Sequence, residues 1–179
     1  LIPRGRDLGL AIASVTLPDY NSFDNWVNVS RSITSQRPSA SAPPLVVDLS
    51  SLWAGPLTGS LLASLGAEVI KVESSKRLDG ARRNENDPAG EREFYDLMNG
   101  DKKSFTCDFT TQKGRQQLLR LIECADIVIE SSRPRALRQL GIHAEKLVAE
   151  KPGKVWLSLT AYGRGAATEN IIGFGDDIG

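Results

Sequence analysis

Apolar runs separated by segments of helical periodicity fill the chain from residue 45 onward. The apolar runs predict five β-strands, at 45–49, 67–73, 104–108, 126–130 and 154–159. The segments between them predict helices at 55–65, 111–124, 134–140 and 143–150. Because helices alternate with strands, we expect right-handed crossovers and a doubly wound, Rossmann-like parallel sheet, which places the fold in the α/β class.

The first 44 residues differ in composition from the rest of the chain. Residues 1–17 predict the tail of an upstream element, a helix end that runs into a strand. Residues 18–44 are rich in Ser, Asn and Pro, a composition that is typical of a linker. Residues 45–179 form the predicted domain. Since the chain starts at Leu1 and stops at Gly179, we expect a fragment of a longer polypeptide, with this domain truncated at its C-terminal end.

A long polar segment interrupts the alternation of strands and helices. It lies between Ser74 and Lys103 and carries two charged clusters, KRLDGARRNEND and GERE. Long segments without secondary structure are uncommon inside compact domains and are usually functional or mobile. We therefore expect a loop here that acts as a lid or is mobile.

The composition is that of an ordinary globular domain. The 179 residues include 22 basic and 22 acidic residues, so the net charge is zero, and 40% of the residues are hydrophobic. This balance predicts no nucleic-acid partner, and no apolar run approaches the length of a membrane span. Cys107 and Cys124 lack the spacing of a metal or redox motif, which favours reduced thiols in a cytoplasmic protein that holds no metal.

The turn after the first predicted strand is the place where a parallel sheet holds phosphate-bearing ligands. Gly55, Gly59 and Gly66 follow that strand, but their spacing is not that of the G-x-G-x-x-G dinucleotide fingerprint. Pro56 stands directly after the first glycine, and the glycine that lets the backbone approach a pyrophosphate is missing. A nicotinamide dehydrogenase is therefore a disfavoured alternative.

Four ordered segments resemble the family III CoA-transferases, which include formyl-CoA transferase, carnitine CoA-transferase and alpha-methylacyl-CoA racemase. The first family unit, VLDL followed by AGP and then LGAxVIKVE, is similar to residues 46–49, 54–56 and 65–73. The other family segments are N-x-x-KRS-x-x-LD, ADVVVENFRPGVLERLG and NPRLVYxSISGFG. They are similar to residues 99–108, 125–141 and 151–163, respectively.

The resemblance implies that the chain binds the nucleotide of coenzyme A along the carboxyl ends of its strands. Position by position, it implies contacts from residues that follow the first, third and fourth strands: Leu52, Trp53, Ala54, Cys107, Asp108, Thr110, Ser131, Ser132 and Arg133. The cations expected to meet the phosphates of CoA are Lys102, Lys103, Arg133, Arg135 and Arg138. A solvated surface charge is the alternative for each of them.

The chain departs from the family pattern at some of these positions. Ser74 stands where a basic residue often follows the VIKVE acid. Ser131 and Ser132 replace asparagine and phenylalanine, and Gln139 replaces the arginine of ERLG. Individual nucleotide contacts therefore differ from those of the family, whereas the segments as a whole match.

The resemblance also implies a reaction and an assembly. Family transferases move CoA from an acyl-CoA donor to a carboxylic acid acceptor through an aspartyl intermediate, and their subunits interlock as homodimers. The aligned nucleophilic aspartate falls beyond Gly179, so we expect this chain alone to be inactive. Asp176 and Asp177 align with an auxiliary acidic position; capping of a helix is the alternative.

Two other activities stay open. Racemases of this family use a histidine in a G-H-D segment, where this chain has Gly175 or Asp176. The only histidine, His143, opens a predicted helix. A transferase is favoured over an alpha-methylacyl-CoA racemase, since imidazole is the base best suited to neutral pH. The alternative from another class is a CoA-binding module without catalysis.

Overall fold

The computed structural model describes residues 2–12, 27, 29, 42–82, 88–165 and 167–174. The strands are β1 (Leu45–Asp48), β2 (Glu68–Ser74), β3 (Lys103–Cys107), β4 (Ile127–Glu130) and β5 (Val155–Ser158). The helices are α1 (Ile2–Asp7), α2 (Ala54–Ser64), α3 (Pro88–Asn99), α4 (Gln112–Cys124), α5 (Pro134–Gln139) and α6 (Ala144–Glu150), with a short 3₁₀ helix at Gly80–Arg82. None of the helices in this part of the chain is long and apolar enough to cross a membrane.

The strands form one parallel sheet in the order β3-β2-β1-β4-β5. In the central strand β1, Val47 pairs with Ile70 of β2 on one side and with Val128 of β4 on the other. All five predicted strands are confirmed, each within one residue at either end, and so is the doubly wound architecture. From β1 the chain adds β2 and β3 on one side of the sheet and then β4 and β5 on the other side. The strand order therefore reverses between β1 and β4.

Helices cover the sheet on both faces and create two apolar layers. On one face Val47 and Val128 pack with Leu118 and Ile122 of α4. On the other face the neighbouring residues of the strands pack against α2. Since successive side chains of a strand point to opposite faces, this double burial explains why the strands are continuous apolar runs rather than alternating ones.

The helix α3 lies within the segment between Ser74 and Lys103, where the sequence predicts a loop, and that prediction is wrong there. Tyr95, Met98 and Asn99 are buried and recur at intervals of three and four residues, which is the spacing of one helix face. The helical period of this face is not apparent in the sequence, because charged residues dominate the composition of the segment. Residues 83–87 lie outside the described residues.

The start of the chain agrees only in part with its prediction. Helix α1 is present, but the predicted strand does not appear in residues 8–12, and residues 13–17 lie outside the described ones. Of the predicted linker the structure describes only residues 27, 29 and 42–44, so the linker stays a prediction.

Candidate functional site

The carboxyl ends of the strands open into a crevice of about 800 Å³. The loops that follow all five strands contribute to its walls, with residues that include Ser51, Leu52, Arg77, Thr110, Arg133 and Thr160. Open parallel sheets bind ligands in this position, beside the point where the strand order reverses. The crevice is therefore the candidate ligand site.

The loops after β1 and β4 meet at this reversal point. The amide of Ser51 donates to the Oγ of Ser131 over 3.1 Å, which ties the two loops together. Leu52, Ser132 and Arg133 line the crevice with Ser131. The structure thus brings four of the predicted contact residues into one site.

Trp53 and Ala54 lie at the start of α2, beside the crevice rather than in its walls. Trp53 is 64% exposed, and its ring meets that of Phe94 edge to face at a centroid distance of 6.2 Å. The side chain of Trp53 does not cap the helix. The first turn of α2 therefore borders the site without a side-chain acceptor from its N-cap residue.

Leu52 has an unusual backbone conformation. Its φ of 70° lies in the left-handed region, and no other non-glycine residue of the described ranges has a positive φ. This conformation costs a leucine about 1–3 kcal/mol, so the surroundings must hold it. The amide of Leu52 donates to the Oδ1 of Asp79 over 3.0 Å, and the side chain lies over Gly80, where an added Cβ would come within 2.9 Å of the leucine Cδ2.

Two buried ion pairs lie next to this turn. The Nζ of Lys71 is 2.8 Å from the Oδ2 of Asp79, and it also donates to the carbonyl of Ser50. The Nζ of Lys102 is 2.8 Å from the Oδ2 of Asp48. All four side chains are 2% exposed or less. A buried charge costs several kcal/mol of folding free energy unless it is paired and hydrogen-bonded. In each pair the lysine and the aspartate therefore fix each other's side-chain position.

Glu73, near the end of β2, extends this network towards α3. It accepts hydrogen bonds from the amide of Asp79 (2.9 Å), the Nε of Arg82 (3.0 Å) and the hydroxyl of Tyr95 (3.0 Å). Burial alone would raise the pKa of Glu73, but these three donors outweigh it and hold the pKa below its usual value. Burial and the neighbouring Glu73 raise the pKa of Tyr95, so its hydroxyl stays a donor at neutral pH.

The pKa of Asp79 follows the same pattern. Burial would raise it, but the bond to Lys71, the charge of Lys71 and the amides of Ala81 and Leu52 lower it overall. Asp79 is therefore an ionised acceptor at neutral pH, which suits a residue that holds one lysine and two backbone amides.

Lys102 and Lys103 lie away from the crevice, contrary to the expectation from the sequence. The Nζ of Lys102 is enclosed, and it donates to Asp48, to the carbonyl of Pro56 (2.7 Å) and to the Oδ1 of Asn99 (2.9 Å). Burial lowers the pKa of Lys102, although Asp48 acts in the opposite direction. Lys103 opens β3 and pairs with Glu68 at the opposite, amino edge of the sheet.

Of the three residues predicted after β3, only Thr110 lines the crevice. Cys107 is a core residue, with its Sγ 3.5 Å from the carbonyl of Gly114, and burial raises the pKa of its thiol. Asp108 accepts from the hydroxyl of Thr110 and from its amide, and these bonds lower the pKa of the carboxyl. The side chain of Cys107 therefore lies in the core and outside the crevice walls.

Arg138 is also occupied, contrary to the expectation of a free cation. It pairs with Glu169 at 2.5 Å and lies 3.6 Å from Glu145. The neighbouring carboxylate of Glu130, fully buried at the end of β4, pairs with Arg164 in the same way. Arg135 is exposed outside the crevice walls, and its amide donates to the Oδ1 of Asn170 over 3.2 Å.

Three exposed basic residues line the crevice and have no carboxylate at ion-pair distance among the described residues: Lys76, Arg77 and Arg133. Arg133 belongs to the predicted set, whereas Lys76 and Arg77 do not. Their signal in the sequence is their place directly after the second apolar strand, where the carboxyl edge of the sheet is expected. Positive charge that no carboxylate of the described residues neutralises makes this edge suited to an anionic ligand.

Asp176 and Asp177 lie outside the described residues, so their auxiliary role stays a prediction. In the ranges that the structure covers, no group of three or more His, Cys, Asp or Glu side chains is placed to hold a metal ion.

The sequence matches a model of the family described as CoA-transferase family III over residues 44–178, and the chain therefore belongs to this family. A probable fatty acyl-CoA transferase of Mycobacterium tuberculosis is 40% identical to it over 121 residues, 66% of this chain and 30% of that protein. A succinyl-CoA–D-citramalate CoA-transferase of Chloroflexus aurantiacus is 34% identical over 145 residues, 80% of this chain and 36% of that protein.

Solved structures agree with this assignment. A CaiB/BaiF family protein from Brucella suis superposes with a TM-score of 0.65 at 34% identity, over 76% of this chain and 37% of that one. A hypothetical protein from Mycobacterium tuberculosis gives a TM-score of 0.62 at 37% identity, over 76% of this chain and 38% of that one. The chain thus shares their fold and spans about a third of the length of the curated relatives it matches.

Replacing Lys102 by methionine should destabilise the protein far more than the same change at the adjacent Lys103. The first change leaves Asp48 buried without its cation, which we expect to lower the free energy of unfolding by about 3–5 kcal/mol. The second removes an exposed pair with Glu68, which is worth less than about 1 kcal/mol. Urea unfolding followed by circular dichroism measures both losses, and equal losses would contradict the burial of the first pair.

Acid should destabilise the protein partly through Asp79 and Glu73. Their folded-state pKa values lie below the ordinary 3.8 and 4.5, so their contribution is complete above those values and is lost as the pH falls through the folded-state pKa values. Urea unfolding at about pH 6 and about pH 3 should therefore show a smaller loss of stability for Asp79→Asn than for the unmodified protein. The matched change Asp101→Asn, at an exposed residue, should leave the loss unaltered, and an unaltered loss in Asp79→Asn would refute the account.

Proposed function

We propose that this chain is the nucleotide-binding part of a CoA-transferase that moves CoA from an acyl-CoA donor to a carboxylic acid acceptor. Membership of the family supports CoA as the ligand. The observation that carries the proposal is a set of cations in the walls of the crevice that have no carboxylate partner among the described residues: Lys76, Arg77 and Arg133.

The chemistry of CoA fits this crevice. Its diphosphate and 3′-phosphate carry several negative charges, and guanidinium groups such as those of Arg77 and Arg133 can hold phosphate oxygens in pairs. The hydroxyl of Ser131, which accepts from the amide of Ser51, keeps its proton and supplies a further donor for an anion. Apolar side chains in the same walls, among them Leu159, suit the uncharged pantetheine arm.

The resemblance to the family implies a covalent route for the transfer. An aspartate carboxylate attacks the thioester carbonyl of the donor, the C–S bond breaks, and CoA leaves as a thiolate, which yields a mixed anhydride. The thiolate then attacks the aspartyl carbonyl, which releases the donor acid and forms an aspartyl-CoA thioester. The acceptor carboxylate attacks the aspartyl carbonyl of this thioester and expels the CoA thiolate, which leaves a second mixed anhydride, between the aspartate and the acceptor. Attack of the thiolate on the acyl carbon of the second anhydride forms the new acyl-CoA and frees the aspartate.

In this route the crevice residues have one task, which is to keep the CoA nucleotide bound while its sulfur changes partners. The resemblance places the nucleophilic aspartate in none of the four matched segments. We propose Asp176 or Asp177 as the auxiliary acid that helps to position the intermediate, in line with their alignment. Since the matched relatives are named for different acids, among them D-citramalate and glutarate, the proposal concerns the CoA half of the reaction only.

An alpha-methylacyl-CoA racemase is the second candidate, and the residues favour it less. A racemase needs a base on each face of the alpha carbon, and imidazole is the group best suited to this work at neutral pH. His143 is the single histidine, and it precedes α6 at the far end of the α5–α6 connection, outside the crevice walls. A CoA-binding module without catalysis is the candidate from another class; it would bind CoA equally well.

We propose further that the whole protein is a homodimer, as the resemblance implies. The support in this chain is a stripe of exposed apolar residues along α2, at every fourth position: Trp53, Leu57, Leu61 and Leu65. Their exposed fractions are 64%, 39%, 57% and 83%. Apolar side chains that adjoin in this way on a surface usually meet another protein surface.

Calorimetric titration tests the proposal, with CoA as ligand and NADH as control. The chain should bind CoA, and Arg133→Ala and Arg77→Ala should each weaken binding about ten-fold, because each removes charge-assisted hydrogen bonds to phosphate. Lys103→Ala is the matched control, since it removes a cation from the amino edge and should leave the affinity unchanged. Pantetheine, which lacks the phosphates, should bind far more weakly than CoA.

Other results would decide against the proposal. Binding of NADH without CoA would favour a dehydrogenase, and equal affinity of all three variants would mean that the ligand lies away from the crevice. Turnover of an acyl-CoA and an acid by the whole protein, measured with the same variants, would separate a transferase from a module that only binds CoA.

A further inference from the structure

We propose that Asp79 and Lys71 are positioning residues that hold Leu52 in the conformation in which it contacts CoA. The inference rests on the proposed function, because CoA is the ligand that it invokes. Both side chains are almost fully buried, although Asp79 borders the crevice, so we argue that they act on the ligand through the turn that they hold.

The two residues grip the turn on both sides of Ser51. Lys71 donates to the carbonyl of Ser50, and Asp79 accepts from the amide of Leu52 over 3.0 Å. The 2.8 Å ion pair between Lys71 and Asp79 closes this clamp. Asp48 adds a third point of attachment, since its Oδ1 accepts from the amide of Ser50 over 3.0 Å. The backbone of the turn therefore has little freedom to relax.

The residue that the clamp constrains is a leucine, which is an unusual choice for this backbone. Glycine and asparagine adopt a positive φ at lower cost than leucine does. The side chain of Leu52 is 44% exposed, so filling the core does not account for its presence. It lies instead in the wall of the crevice. A strained residue that presents an apolar side chain to a ligand crevice indicates a contact surface built in advance of binding.

This arrangement predicts that changes in the turn affect the affinity for CoA more than the stability of the fold. A contact that is already in place loses no conformational freedom when the ligand arrives, so freeing the turn weakens binding. Freeing it also removes backbone strain, so the fold is not weakened to the same extent. The phosphate contacts stay, and the dependence of affinity on salt should therefore stay as well.

Titration with CoA at several salt concentrations, combined with thermal melting, tests this separation. Leu52→Gly should weaken CoA binding about five-fold or more without lowering the melting temperature, because glycine adopts this φ freely. Gly80→Ala should do the same, since its new Cβ meets only the end of the Leu52 side chain. Both variants should keep the salt dependence of the unmodified protein, whereas Arg133→Ala should reduce it.

Asp79→Asn tests the clamp itself, with exchange of the Leu52 amide followed by NMR. We expect faster exchange and weaker CoA binding; if this variant does not fold, Leu52→Gly and Gly80→Ala decide the question. Unchanged CoA affinity in those two variants would overturn the inference and leave the proposed function in place. Parallel losses of affinity and melting temperature would also overturn it, because they indicate a merely structural role. No CoA binding by the unmodified protein would overturn the proposed function and this inference together.

Discussion

The ion pair between Lys71 and Asp79 connects the sheet to the loops that form the candidate site. Lys71 belongs to β2, beside the central strand, and a lysine in that layer is tolerated only where a carboxylate and further acceptors meet its ammonium group. The carboxylate that does so also fixes the amide of Leu52, and the lysine fixes the carbonyl of Ser50. The shape of the first turn, and with it one wall of the crevice, therefore depends on this pair.

Two groups of charged residues near the carboxyl ends of the strands have different tasks. Buried carboxylates near the ends of β1, β2 and β4 accept hydrogen bonds from lysine, arginine and backbone groups and so hold the loops in place: Asp48, Glu73 and Glu130. The cations that line the crevice without such a partner among the described residues, such as Arg133, stay available for a ligand. The paired charges thus build the site, and the cations without a carboxylate partner in the described ranges suit it to an anionic ligand.

The architecture of the sheet is predictable from the sequence, because each strand is an apolar run and each connection but one has a helical period. The exception is α3, whose buried face consists of few residues, such as Tyr95 and Met98, inside a strongly charged segment. The reversal of strand order, and therefore the position of the crevice, follows once the strands are placed.

The charges of the site are harder to predict, because their role depends on contacts between distant parts of the chain. Lys102 resembles a surface cation in the sequence, but its partner Asp48 lies 54 residues earlier and draws it into the interior. Arg138 is neutralised by Glu169, 31 residues later. Conversely, Lys76 and Arg77 line the crevice because the segment that follows β2 returns to the carboxyl edge of the sheet.

The position of the ligand is the most direct test of this account. Spectra of the ¹⁵N-labelled chain recorded during addition of CoA report which backbone amides sense the ligand. We expect the largest shifts at Leu52, Arg77 and Arg133, at the carboxyl edge of the sheet, and little change at Glu68 and Lys103, at the amino edge. Shifts confined to the amino edge, or no shifts at all, would contradict the account.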